Sequence, residues 1–169
     1  MNTHSTDFSK KKVLVTLGGG GHLWQSKRLI SALGQNFYYC YVTGYDCLVP
    51  PEVRDKEVYQ LITFATISGR GIIKRLARLF SSLKDAFLIL RKANPDVVIC
   101  VGTSLSVPLS LWANLFGKKV VFIESITRIQ RPSVTGRILS SLKLIDRLYV
   151  QWPEATNLYK GAIYKGTVL

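Results

Sequence analysis

Acidic residues are scarce in this chain: 10 Asp and Glu stand against 23 Lys and Arg in 169 residues, a formal charge of +13. So lopsided a balance points away from cationic partners and toward an anionic one: a nucleic acid, an acidic membrane surface or a phosphorylated substrate. Cysteine is scarce too. Cys40, Cys47 and Cys100 have no paired spacing and no C-x-x-C, which argues against disulfides or a metal site and for reduced thiols in a cytosolic protein. "MNTHSTDFSKKK" is polar, then basic, with no apolar stretch behind it, so no signal peptide is expected. The uncharged run from Val97 to Gly117 is broken by Gly102-Thr103-Ser104, Pro108 and Asn114, and it does not make a solid apolar span of roughly 20 residues. It parses as strand, turn and buried helix, so the chain is expected to be soluble or peripheral rather than integral. No repeat or low-complexity tract is present.

What is present is core-forming material. Hydrophobic residues make up 47% and charged residues 20%, which suits one domain over residues 11–169 behind a flexible N-terminus at 1–10. Strands are expected at Lys11–Leu17, Phe37–Thr43, Glu57–Thr63, Asp96–Val101, Lys119–Ile123 and, last, Arg147–Val150. Helices are expected at Leu23–Leu33, Ile72–Ala93, Leu105–Phe116 and Thr135–Leu144, with Ser104 as the cap of the third. Strands that alternate with helices and run nearly continuously apolar predict an α/β fold, a single Rossmann-like domain with a parallel sheet covered on both faces. Such sheets bind ligands beyond the strand carboxyl ends. Gly18–His22, Thr43–Gly44, Gly102–Ser104 and Glu124–Ser133 fall there, which brings Thr103 and Ser104 into the candidate site.

The first of these loops is the barest. Gly18, Gly19, Gly20 and Gly21 join a strand to a helix. Consecutive glycines let backbone approach a ligand closely, and the helix start behind them offers unpaired N–H groups and a positive dipole end, which suits phosphate. A dinucleotide fingerprint would need glycine where Leu23 sits, and no acid follows the second strand to hold a ribose. A phosphate loop of the G-K-[ST] kind is not supplied by "GHLWQSK" either. Tight strand–helix packing is the alternative use of these glycines. His22 occupies the first helical turn, where the dipole lowers its pKa and keeps the imidazole neutral, able to accept a proton or bond a sugar hydroxyl. Capping its own loop is the other reading.

"FIESITRIQRPSVTGR", Phe122 to Arg137, is the second candidate. Glu124 is the one acid between Asp96 and Asp146 and follows directly on a strand. Arg128 and Arg131 come four and seven residues later, where planar guanidinium groups can hold a diphosphate. A Glu–Arg pair that simply fixes the loop is the competing reading. The third feature is the long basic helix. Ile72, Leu76, Leu79, Phe80, Leu83, Phe87 and Leu90 form an apolar stripe, while Arg70, Lys74, Arg75, Arg78, Lys84, Arg91 and Lys92 face a single acid, Asp85. Core packing explains the stripe; an interfacial helix on anionic lipid explains the basic bias.

"TLGGGGHL", "VFIESITRIQRPSVTGRIL", "DRLYVQWPEA" and "YKGAIYKG" together resemble the Alg14-like proteins, over nearly the whole chain from about Lys11. Within that family the resemblance is to the bacterial PssD/Cps14F type of exopolysaccharide and capsule synthesis. It implies the N-terminal, acceptor-side half of a split GT-B glycosyltransferase, with an Alg13-like catalytic subunit carrying the nucleotide-sugar site and the active site between the two. It also implies a polyprenyl-diphosphate-linked sugar as acceptor, a UDP-sugar as donor, and no metal or other cofactor. Carried over by position, Gly18 to Gly21 and His22 match the family's first loop. Glu124, Ser125, Arg128, Pro132, Ser133 and Gly136 match its signature loop, and Gln151 and Trp152 match a partner-facing segment. Eukaryotic members open with a transmembrane helix and this sequence does not. Its membrane contact is therefore expected from the basic amphipathic surface or the partner, at the cytoplasmic face of the inner membrane.

Two functions follow as expectations. In one, the chain is the acceptor-binding subunit of an inverting glycosyltransferase, inactive alone, with Glu124 or His22 as base and with Gly18 to Gly21, Thr103, Ser104, Ser125, Arg128, Arg131 and Ser133 around the diphosphate. In the other it is a non-catalytic scaffold that recruits a transferase to the membrane. Nucleic acid drops out as a partner, because aromatics are not interleaved with the bases and no nucleic-acid-binding motif is present.

Overall fold

The computed structural model describes residues 10–63 and 72–168. Seven strands form one sheet: β1 (Lys12–Leu17), β2 (Tyr38–Gly44), β3 (Val58–Leu61), β4 (Val97–Val101), β5 (Lys119–Ile123), β6 (Arg147–Val150) and β7 (Ile163–Tyr164). Their order is β3-β2-β1-β4-β5-β6-β7, and each neighbouring pair is parallel. Four helices connect them: α1 (Gly21–Leu33), α2 (Ile72–Ala93), α3 (Ser106–Leu115) and α4 (Val134–Ser141). The expected parallel α/β domain is what forms.

Both faces are covered, but unequally. Alternate side chains of each strand point to opposite faces, so Leu14, Cys40, Val98, Cys100, Val120 and Phe122 build the larger core with residues of α2, α3 and α4. Val13, Val15, Leu17, Tyr41, Ile99 and Ile123 meet Leu23, Leu29, Ile30 and Leu33 of α1 on the other. Desolvation pushes the buried thiols up, Cys40 to about 12 and Cys100 to about 11, which leaves both protonated and inert.

Several boundaries differ from expectation. Arg147–Val150 is not the last strand: the chain turns through a 3-10 helix at Pro153–Leu158 and returns as β7, whose two residues are too few to show a period. Ser104 does not cap α3. Thr103 takes the local role instead: its hydroxyl accepts from the Leu105 amide at 3.4 Å and its carbonyl from Ser106 at 3.2 Å. The apolar stripe of α2 also divides. From Ser82 onward the helix buries Ser82, Ala86, Ile89, Leu90 and Ala93, whereas Leu76 and Phe80 of the stripe are 49% and 68% exposed, beside Ile73 at 79%. Arg70 and the side chains of Ile72, Lys74 and Arg75 lie outside the described residues. Among those described, no helix is long and apolar enough to cross a membrane.

Candidate functional site

The loops after β1, β4 and β5 meet where the strand order reverses, between β1 and β4, the position at which open parallel sheets take ligands. The strand ends are pinned together there. Thr16 accepts from the Val101 amide at 2.9 Å, and the Ser26 hydroxyl of α1 reaches the Thr16 carbonyl at 2.8 Å. α1 starts on Gly20 (φ 57°) with no side-chain cap and no acid in its first turn. The amides of Gly21 and His22 find no hydrogen-bond partner among the described residues, so the helix start faces Gly19, Gly20 and Gly21, all exposed, with bare donors.

His22 sits where three loops converge. A Cβ on Gly102, itself at φ 55°, would stand 2.7 Å from both Cε1 and Nδ1 of the imidazole and 3.2 Å from Cβ of Ser125. The ring fits against the β4 loop only because that residue is glycine. Its Nδ1 is buried without a partner. Burial, first of all, lowers the pKa of His22 below 6.5; Glu124 pulls it up and Arg128 pushes it down. The shift is in the direction expected for a helix start, with desolvation as its main cause.

Glu124 is spent inside the chain. It is 0% exposed. Its Oε1 accepts from the Ser125 amide at 2.8 Å, and its Oε2 from the Ser133 hydroxyl at 2.8 Å, the Ser133 amide at 3.2 Å and the Tyr159 hydroxyl. The Ser133 hydroxyl in turn accepts from the Gly136 amide at 2.9 Å and caps α4. Burial and then Glu124 raise the pKa of Tyr159, which therefore stays a donor. Among the described residues Glu124 pairs with no arginine, so the competing reading of a Glu–Arg pair gives way to a Glu–Ser–Tyr clasp. The sequence reading missed Tyr159. It lies 35 residues from Glu124, and nothing local marks it beyond its place in the closing "YKGAIYKG".

Beyond Glu124 the loop opens outward. Thr127, Arg128, Ile129, Gln130 and Arg131 line an open cleft of about 330 Å³. The guanidinium groups of Arg128 and Arg131 are exposed and have no ion-pair partner among the described residues. Thr103, Ser125 and Ser133 are 8%, 5% and 7% exposed and buttress the loops from beneath, with Gly18 buried and Ser104 half-buried beside them. Gln151 corrects an expectation. It is 2% exposed and turned inward, its Nε2 donating to the Glu124 carbonyl at 2.8 Å and to Oε1 of Gln25 at 2.6 Å. Trp152, half-buried, donates to the Ile126 carbonyl at 2.6 Å. Among the described residues no three His, Cys, Asp or Glu side chains converge on a metal position.

Compared with known proteins, residues 13–168 match the family described as "Oligosaccharide biosynthesis protein Alg14 like". The UDP-N-acetylglucosamine transferase subunit ALG14 of Rattus norvegicus is 34% identical over 180 residues, covering 93% of this chain and 82% of the relative. The subunit alg14 of Schizosaccharomyces pombe is 29% identical over 179 residues, covering 94% and 84%. The pyrophosphoryl-undecaprenol N-acetylglucosamine transferase of Finegoldia magna is 30% identical over 164 residues, covering 88% of this chain but 41% of the relative. The crystal structure of Acinetobacter baumannii MurG superimposes with a TM-score of 0.72 at 18% identity, over 93% of this chain and 45% of that one. The shared architecture is the N-terminal half of a GT-B glycosyltransferase. Because the family match runs over residues 13–168, nearly the whole chain, the chain belongs to the Alg14-like family of oligosaccharide-biosynthesis proteins.

Proposed function

We propose that this chain is the acceptor-binding, membrane-recruiting subunit of a two-component inverting glycosyltransferase. An Alg13-like partner supplies the UDP-sugar, and the acceptor is a polyprenyl-diphosphate-linked saccharide of exopolysaccharide or capsule synthesis, as in the PssD/Cps14F type. What supports this reading is the pair of bare helix-start amides at Gly21 and His22, the charge of Arg128 acting on His22, and the open cleft that Arg128 and Arg131 line. Amide donors and planar guanidinium groups are what a diphosphate requires. His22 takes the proton of the attacking sugar hydroxyl as its oxygen bonds to the donor's anomeric carbon and the UDP oxygen leaves with the bonding pair. Glu124, whose carboxylate already accepts from four donors, holds the loop rather than moving the proton. The exposed Ile73, Leu76 and Phe80 of α2, on a chain of charge +13, meet the anionic inner membrane at its cytoplasmic face.

The test is transfer from a UDP-sugar to a polyprenyl-diphosphate-linked acceptor, with this chain, the Alg13-like subunit, and both. Activity is expected only from the pair. Arg128→Ala should raise the acceptor KM about tenfold or more, the loss of a charge-assisted contact. Full turnover by this chain alone, or an unchanged acceptor KM in Arg128→Ala, overturns the reading. The non-catalytic scaffold is favoured by one observation, the apolar face of α2, which asks nothing of His22. An active complex carrying His22→Ala would select it.

A further inference from the structure

We propose that Gln25 and Gln151 are a pair of positioning residues. Their buried amides hold the glycine loop and the arginine loop at one fixed spacing and bring Thr167 and Val168 into the same device. The proposal rests on the reading above, in which Arg128 grips the acceptor diphosphate.

Gln25 touches both halves of that grip. Its Nε2 donates to the Gly21 carbonyl at 3.2 Å, and its Oε1 accepts from the Ile126 amide at 3.1 Å, two residues before Arg128. Gln151, just after β6, completes it. Its Nε2 spends one proton on Oε1 of Gln25 and the other on the Glu124 carbonyl, while its Oε1 accepts from the Val168 amide at 2.9 Å. The Thr167 hydroxyl donates to the Gln151 carbonyl at 2.8 Å. Both N–H groups and the oxygen of the Gln151 amide are engaged, and each amide can face only one way: reversing Gln151 would set its oxygen against two other oxygens. Such a buried, mutually bonded pair specifies a single arrangement. Gln25 and Gln151 are both 2% exposed, and neither belongs to the apolar core on either face of the sheet. What they hold is the distance between Gly21 and Ile126, not the packing of the sheet. That distance sets whether Arg128 and the bare amides meet one diphosphate together.

The experiment uses the complete two-subunit complex with Gln151→Glu, Gln25→Leu, Val168→Pro and Arg128→Ala. Gln151→Glu replaces the donor to two oxygens by a third oxygen, and Val168→Pro removes the N–H that Gln151 Oε1 accepts from and fixes the backbone there. The first two should raise the acceptor KM at least about tenfold, leave the UDP-sugar KM unchanged and keep kcat within about threefold. Val168→Pro should give a smaller rise in the same parameter. On the isolated chain, inorganic pyrophosphate should raise the Tm of the parent and not of Gln151→Glu. An acceptor KM within about twofold of the parent in Gln151→Glu overturns the proposal. Should that variant not fold, the same result in Gln25→Leu or Val168→Pro overturns it. If Arg128→Ala leaves the acceptor KM unchanged, the diphosphate reading fails instead.

Discussion

His22 shows how one side chain is set by three loops. Gly102 leaves room for its ring, burial strips water from it, and Glu124 and Arg128 pull its protonation in opposite directions. Because its folded pKa lies below 6.5, the unfolded chain binds a proton that the folded chain does not, in the window between that lowered value and 6.5. Stability therefore falls as pH drops through this window, and His22 adds no pH dependence above it. Denaturant titrations at several values between about pH 5 and pH 8 should show an acid-side loss that shrinks in His22→Asn. The acid limb of kcat/KM in the complex should likewise have its midpoint below 6.5. A midpoint above that value removes His22 as the base. Sequence position was enough to indicate a neutral imidazole, because a helix start disfavours positive charge. It was not enough to indicate that burial does most of the work, since Gly102, against which the ring packs, is about 80 positions away.

At the scale of the element, the loop after β5 behaves as a clasped ring with an open outer edge. Glu124 and Ser133 close it from within, Tyr159 bolts the closure from a distant segment, and Arg128 and Arg131 stand outside. Tyr159→Phe removes one donor from a buried carboxylate and should cost about 1–3 kcal/mol. Chemical denaturation should register this loss, while Tyr164→Phe, 39% exposed and without a hydrogen-bond partner among the described residues, should be neutral. Equal stability of the two variants would mean that the clasp contributes nothing. The loop's existence was legible from a lone acid after a strand with arginines following. Its inward face was not, because a side chain's direction in a loop is decided by whatever packs behind it. α2 makes the same point in reverse: its apolar period was plain in the sequence, yet Leu76 and Phe80 of that stripe meet no core.

For the molecule as a whole, charge and apolar exposure act together. In the proposed recruitment to the membrane, a net +13 draws the chain to anionic surfaces at long range, and exposed Ile73, Leu76 and Phe80 supply short-range insertion. Binding to vesicles rich in anionic lipid should weaken as salt shortens the screening length from about 10 Å at 0.1 M to about 3 Å at 1 M. Phe80→Glu should reduce it further at every salt concentration, as measured by co-sedimentation. Vesicle binding indifferent to both changes would assign membrane recruitment to the partner subunit.

Composition and local pattern by themselves determined the parallel α/β architecture, the bare turn after β1, the excess of positive charge and the loop that carries Arg128. These are encoded within a few residues of where they act, through hydrophobic period, glycine content and helix-start chemistry. The tertiary structure alone decided that Glu124 and Gln151 turn inward, that Tyr159 completes the clasp, and that Ile73, Leu76 and Phe80 of α2 are left exposed. Those outcomes depend on hydrogen bonds and packing between residues 27, 35 and 126 positions apart. Only chain closure around the sheet settles which of two distant polar groups finds the other.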